Sequence, residues 1–149
     1  MKCWKSSQGQ SLVEVLVAVG AMSLLLVSLL SLISLSVRNS RLAKDRTQAV
    51  ALAQGGIELM RAYRDYSWTD FSGVAGGTKY DLPEAWVVED GLGAACNESA
   101  YTINNFYRRC VEIQGIDAQE MSVSVEVSWQ EGNQVHQSIQ ETRLSVWER

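Results

Sequence analysis

The feature that most constrains this chain is an apolar stretch, residues 12–37, in which Glu14 is the single charged residue. It includes 23 consecutive residues, 15–37, without any charge. At about 1.5 Å per residue, a helix of that length covers a hydrocarbon core of about 30 Å. The stretch therefore predicts a membrane-spanning helix. A carboxylate at the head of such a helix is costly in lipid, which indicates that Glu14 has a function and needs a partner.

The rest of the chain is polar and acidic. With 149 residues, there is room for one modest domain beyond the apolar stretch. The net charge of −4 argues against a dedicated nucleic-acid binder. One histidine and three cysteines provide neither a tetrahedral metal set nor a catalytic triad, and no phosphate-binding loop is present. We expect a protein that is not an enzyme and uses no cofactor.

Helical periodicity continues beyond the apolar stretch. Residues 38–65 contain no proline, and their apolar side chains recur mostly three or four residues apart. This pattern predicts one helix over residues 10–65, whose second half, residues 38–65, is amphipathic. Gly55 and Gly56 weaken that half locally and predict a bend or a close approach of another backbone.

The C-terminal part of the chain has the signals of an antiparallel sheet. Residues 121–129 alternate apolar and polar side chains, and a turn at residues 131–133 leads into a return strand over residues 135–147. In the return strand the apolar side chains lie first at odd positions, Val135 and Ile139, and then at even positions, Leu144 and Val146. This change predicts a bulge or break near Glu141. The fold class is therefore α+β, with the long helix packed on an antiparallel head formed by residues 66–149.

Weaker signals predict the remaining elements of the head. Residues 66–77 are rich in Ser, Gly and Asp and predict a connecting loop. Four further segments have strand-like composition: residues 79–82, 85–89, 101–103 and 106–113.

The N-terminus resembles the prepilin cleavage and methylation motif of type IV pilins. A short basic leader, residues 1–9, ends in Gly9, and Glu14 is the fifth residue after it, at the head of the apolar helix. In that family a membrane prepilin peptidase cuts after the glycine and N-methylates the new terminus. The resemblance implies cleavage between Gly9 and Gln10, N-methylation of Gln10, and a role in assembly and register for Glu14. Gln10 departs from the Phe or Met that is usual at this position.

Cleavage would supply the partner that Glu14 needs. The new α-amine is cationic near neutral pH. It can pair with Glu14 of a neighbouring subunit, which offsets part of the cost of dehydrating the carboxylate and fixes the axial register of the helices.

The C-terminal hairpin also resembles that of PilV-type minor pilins, in which both strands end in tryptophan. Trp129 and Trp147 hold those places. Together the two resemblances imply a bacterial minor pilin. Its partners would be other pilin subunits in a hetero-polymer, the prepilin peptidase, the inner-membrane assembly platform and, before assembly, membrane lipid. The head would be extracytoplasmic on a single-pass inner-membrane protein, and then part of a cell-surface pilus or a periplasmic pseudopilus.

Other functions remain open at this point. A type II secretion pseudopilin would have the same fold, as would a competence pilus component that takes up DNA. An anchored extracytoplasmic domain that never polymerises is a further alternative. An ordinary secretory signal peptide is another, since Ser34, Leu35 and Ser36 resemble its cleavage site, but 23 uncharged residues behind Glu14 fit such a peptide poorly. Two basic residues precede the apolar stretch and four follow it within residues 38–46, so the positive-inside rule alone would place the head in the cytoplasm. The pilin resemblance implies export instead.

Three kinds of side chain in the head have predictable chemistry. If the head is exported, Cys96 and Cys110 predict a disulfide, with two buried free thiols as the alternative. Arg108 and Arg109 are adjacent on a predicted strand and point to opposite faces, so we expect solvated or ion-paired charges rather than a shared anion site. His136 is predicted to lie on the surface.

Overall fold

The computed structural model describes residues 8–97 and 100–146, with side chains from residue 12 onward. The predicted leader residues 1–7 and Trp147 lie outside this part. The elements, in chain order, are as follows: α1 (Gln8–Tyr66), α2 (Trp68–Gly73), β1 (Lys79–Asp81), a short 3-10 helix (Val88–Asp90), β2 (Tyr107–Gly115), β3 (Glu120–Glu131) and β4 (Gln134–Ser145). The chain divides into two compact units, Met1–Ala43 and Lys44–Arg149.

The second unit has the predicted α+β fold. Its four strands form one antiparallel sheet in the order β1-β2-β3-β4. The part of α1 that belongs to this unit buries one stripe of side chains, spaced three or four residues apart: Ala49, Ala53, Ile57, Met60 and Tyr63. This spacing is the signature of a helix that covers one face of a sheet, and the prediction of a long helix packed on an antiparallel head is confirmed.

The helix and the sheet approach each other closely at Gly56. A Cβ atom built on Gly56 would lie 2.8 Å from Cγ1 of Val125 on β3 and 3.1 Å from Cδ of Arg109 on β2. The backbone of α1 therefore lies directly against side chains of β2 and β3 at this glycine. α1 is continuous from Gln8 to Tyr66, so the glycine pair does not interrupt the helix.

Three predictions for the segment between α1 and β2 are wrong. Residues 66–77 are not simply a loop, because they contain α2, whose Phe71 is fully buried. Residues 85–89 form no strand and lead instead into the 3-10 helix Val88–Asp90. Residues 101–103 contribute only an isolated bridge, between Ile103 and Tyr107. Local composition favoured a loop over residues 66–77 and strands over the other two segments, but contacts with the rest of the fold decide the conformation.

The predicted bulge near Glu141 is also absent. β3 and β4 keep one register from the pair Glu120 and Ser145 to the pair Glu131 and Gln134. Val135 and Ile139 point away from the helix, and their exposed fractions are 65% and 45%, whereas Leu144 is buried on the helix side. The apolar side chains of β4 therefore lie on both faces of the sheet without any bulge. The uninterrupted ladder is kept even though it leaves these two apolar side chains in solvent.

Candidate functional site

The first unit presents an apolar helix surface that nothing in the unit covers. All the large apolar side chains described between Leu12 and Val37 are exposed, by 48% to 74%. Among the described residues, α1 is the one helix long and apolar enough to cross a membrane, and no residue of its most apolar window is buried. An exposed apolar surface of this extent marks contact with lipid or with other proteins.

Polar groups within this surface are satisfied by the helix itself. The hydroxyls of four serines donate to backbone carbonyls three or four residues earlier, at 2.8 to 3.0 Å: Ser23, Ser28, Ser31 and Ser34. Hydroxyls bonded in this way need no water. The serines therefore do not prevent the helix from lying in lipid or in a tightly packed bundle.

Glu14 interrupts this surface near its beginning. Its side chain is exposed, and among the described residues it forms neither an ion pair nor a hydrogen bond. The backbone of Gly9 and Gln10 belongs to the same helix, and Gln10 lies four residues, about one turn, before Glu14. The structure thus places the predicted cleavage position and the predicted register carboxylate within two helical turns of each other.

In the head, Arg109 is buried rather than solvated. It is 5% exposed. Its guanidinium donates to three backbone carbonyls: Nε to Leu82 at 3.1 Å, Nη1 to Leu52 at 3.2 Å and Nη2 to Pro83 at 3.2 Å. Burial lowers the pKa of Arg109, and the nearby carboxylates of Glu84 and Asp81 oppose that shift. The prediction of a solvated or ion-paired side chain is therefore wrong for Arg109.

Arg109 joins three parts of the head. The carbonyls that it binds belong to α1 and to the segment that follows β1, while Arg109 itself is on β2. The backbone N–H of Leu82 also donates to the carbonyl of Arg109, at 2.9 Å. The alternation of Tyr107, Arg109, Val111 and Ile113 along β2 was the sequence signal that could have placed this arginine on the helix-facing side.

Tyr107 makes a second connection between β2 and α1. Its hydroxyl donates to Oε1 of Gln48 at 3.0 Å and lies 3.4 Å from the carbonyl of Asp45. Burial raises the pKa of the hydroxyl, and the charge of Asp45 raises it further. Because both contacts need the protonated phenol, this connection persists across the neutral pH range.

The two cysteines of the head are adjacent. Their Cα atoms lie 5.8 Å apart, a separation that a disulfide can span, and the two sulfur atoms are joined. Cys110 is buried on β2, opposite Asp81 of β1, and the backbone N–H of Cys96 donates to the carbonyl of Lys79 at 2.9 Å. The pair therefore links the segment after β1 to β2.

His136 is half-buried on β4, not on the open surface as predicted. Its ring stacks on the indole of Trp129, with 5.5 Å between centroids and 26° between planes. Its Nε2 lies 3.7 Å from a carboxylate oxygen of Glu131. Stacking on a buried tryptophan gives this histidine a structural role at the hairpin.

Within residues 8–97 and 100–146, no group of three or more His, Cys, Asp or Glu side chains could hold a metal ion. No protein-family model, curated protein or solved structure matches this chain. The features that remain are the exposed apolar helix with its single carboxylate and the compact head.

Proposed function

We propose that this chain is a structural pilin-like subunit of the minor-pilin type, assembled through residues 12–37 into a type IV pilus-type fibre. The observation that carries the proposal is the exposed apolar surface of α1 over residues 12–37, in which Glu14 is the single charged residue. A membrane anchor needs the apolar surface but not the carboxylate. A fibre of packed helices uses both, because the carboxylate can pair with a terminal amine.

The resemblance of residues 1–14 to the prepilin motif supplies the mechanism. The prepilin peptidase would hydrolyse the peptide bond between Gly9 and Gln10 and leave a cationic amine on Gln10, which it then methylates. In the fibre, that amine would pair with Glu14 of a neighbouring subunit. A subunit shifted along the axis would leave the carboxylate unpaired among apolar helices, which costs several kcal/mol. The ion pair would therefore select one axial register.

The protein would lie first in the inner membrane and then in a hetero-polymer with other pilins. The head would face the extracytoplasmic side. The proximity of Cys96 and Cys110 supports this orientation, because structural disulfides persist in oxidising compartments and are rare in the bacterial cytosol. The four internally bonded serines support the membrane stage, since none of their hydroxyls requires water.

N-terminal mass spectrometry of the protein purified from its host tests the cleavage. The expected mature chain begins at Gln10 with an added methyl group, and Gly9→Ala is expected to remain uncut. A parent chain that begins at Met1, or after Ser36 as a secretory signal peptidase would leave it, contradicts the proposal.

Glu14→Ala tests the register role. The variant should be cleaved normally, because the cut lies five residues away, but its incorporation into sheared fibres should fall about tenfold or more, as expected for an uncompensated amine in an apolar core. Glu58→Ala is the matched control, since Glu58 is an exposed carboxylate on the same helix but outside the apolar stretch, in the second compact unit. Equal incorporation of the two variants would show that the ion pair is dispensable.

A further inference from the structure

Two turns of the head lie side by side at one end of the sheet. The first, residues 104–106, precedes β2, and the second, residues 132–133, joins β3 to β4. Tyr107, directly after the first turn, pairs with Trp129 near the end of β3, so the strand register brings the two turns together. An open pocket of about 300 Å³, here called the two-turn pocket, lies between them. Its lining residues are Tyr101, Asn105, Phe106, Gln130 and Gly132.

The first turn is held by its own backbone. The N–H groups of Phe106 and Tyr107 both donate to the carbonyl of Ile103, at 3.1 and 2.9 Å, and the N–H of Ile103 donates to the carbonyl of Tyr107 at 2.9 Å. Asn104 and Asn105 both have a φ of 52°, a conformation that asparagine tolerates better than most residues and that type I′ turns require. The turn therefore presents Asn105 and Phe106 in fixed positions.

Aromatic rings form the apolar part of the two-turn pocket. Tyr101 and Phe106 both line it. The ring of Phe106 packs edge-to-face against Tyr107, with 4.7 Å between centroids and 86° between planes, yet 37% of Phe106 is exposed. A ring that is both fixed and accessible offers a π surface, whose negative face attracts C–H groups.

Amide groups form the polar part. Nε2 of Gln130 donates to the carbonyl of Gly132 at 2.9 Å, and the hydroxyl of Tyr101 lies 3.4 Å from Oε1 of Gln130. These contacts orient the amide and leave it one N–H and one lone pair for a ligand. Among the described residues the side-chain amide of Asn105 has no hydrogen-bond partner, so its donors and acceptor are available. None of the side chains that line the pocket is charged.

We propose that the two-turn pocket binds a hexopyranose unit of an uncharged glycan. A pyranose ring has C–H groups on its faces, which pack on aromatic rings, and hydroxyls around its rim, which both donate to amides and accept from them. The volume lies at the lower end of the range for ligand sites, about 300 to 1,000 Å³, and suits a single ring. A phosphate, carboxylate or ammonium group would find no opposite charge in the lining. The site belongs to the head and depends on neither cleavage nor fibre assembly.

Saturation-transfer NMR of the full-length chain tests this site, in a phosphocholine detergent because a glycoside detergent would compete. The neutral probes are the methyl glycosides of glucose, galactose, mannose and N-acetylglucosamine. N-acetylneuraminic acid is the charged sugar, and blocked hexaproline represents peptides that dock on aromatic grooves. We expect at least one neutral glycoside to bind with a Kd of about 1 mM, as its size allows. The charged sugar and the peptide should bind more weakly.

Four variants, each checked for folding by circular dichroism, test the residues of the pocket. Phe106→Leu keeps an apolar side chain but removes the ring, and should weaken binding about tenfold, whereas Phe106→Tyr should keep it within about threefold. Asn105→Gly removes the amide, tolerates the positive φ, and should weaken binding about fivefold. Tyr66→Ala is the control and should leave the Kd unchanged, because Tyr66 is 61% exposed but does not line the pocket.

Four outcomes would each overturn the proposal. They are the failure of every neutral glycoside to bind, tighter binding of the charged sugar or of hexaproline, equal affinity in Phe106→Leu and the parent, and an equal loss in Tyr66→Ala. None of them bears on cleavage after Gly9 or on the role of Glu14, which are tested separately.

Discussion

Gly56→Ala should destabilise the head, although alanine favours a helix. The substitution removes the conformational freedom of glycine from the unfolded chain and on an exposed helix surface would stabilise by about 1 kcal/mol. At residue 56, however, the new Cβ would lie 2.8 Å from Cγ1 of Val125. Val125 is fully buried on β3 and has a stiff, β-branched side chain, so it cannot move aside without shifting the strand.

Gly55→Ala is the matched control. A Cβ there meets only Nη1 of Arg109, at 3.8 Å, which is an ordinary van der Waals contact. The gain in helix propensity is the same, about 1 kcal/mol. Gly56→Ala adds the cost of overpacking a core, about 1 to 3 kcal/mol. The free energies of unfolding of the two variants should therefore differ by about 1 to 3 kcal/mol, with Gly55→Ala the more stable.

Thermal unfolding of the two variants, followed by circular dichroism of the full chain in detergent, measures this difference. For a domain of about 100 residues, 1 kcal/mol corresponds to about 4 °C, so the midpoints should be separated by about 4 to 12 °C. If Gly56→Ala unfolds at the same temperature as Gly55→Ala or above it, α1 does not contact β3 as closely as the structure indicates, and the reasoning fails.

Three further predictions concern Arg109, Asp81 and the two cysteines. Arg109→Met should lower the free energy of unfolding by about 2 to 5 kcal/mol in denaturant titrations, because one buried and two part-buried carbonyls lose their donor, whereas the exposed ion-paired Arg61 should tolerate the same change within about 1 kcal/mol; equal losses would contradict this. Burial raises the pKa of Asp81, so the folded state holds the proton more strongly than the unfolded chain and stability falls as pH rises from the ordinary value of 3.8 through the folded pKa. Asp81→Asn should flatten that decline in denaturant titrations, and an unchanged slope would exclude Asp81 as its source. The bridge between Cys96 and Cys110 should keep both from being labelled by a thiol reagent before reduction, and reduction should lower the free energy of unfolding by about 3 kcal/mol; labelling of both in the unreduced protein would contradict this.

Long periodic segments were predictable from the sequence. The second half of α1 and all of β3 follow from patterns of period 3.6 and 2, and the apolar residues of each agree with the sides that the fold buries. The first half of α1 follows from the length of its apolar run. α2 was not predicted, because six residues are too few to show helical periodicity. Its sequence signal is the N-cap, in which the hydroxyl oxygen of Ser67 accepts a hydrogen bond from the backbone N–H of Asp70. Residues 85–89 resemble a strand in composition, but Trp86 packs edge-on against Tyr63 and donates to the carbonyl of Gly91 instead.

The candidate site was only partly predictable, for a different physical reason. The apolar surface and Glu14 are local features, and one stretch of sequence is enough to recognise them. Arg109 depends on contacts between segments far apart in the chain, since its acceptors lie 26 to 57 residues away. The distance between Cys96 and Cys110 likewise depends on how the segment between them folds back, which spacing alone does not specify.

β4 is where the sequence pattern and the isolated fold disagree most. Its apolar side chains at Val135 and Ile139 face solvent, while Gln140 and Thr142 face the helix. A bulge would have turned the apolar side chains inward, but it would also have broken the ladder between β3 and β4. The strand instead keeps its pairing with β3 over all 12 residues, and the exposure of Val135 and Ile139 is the consequence. Periodicity within β4 alone could not predict this outcome, because the pairing with β3 decides which side chains face the helix.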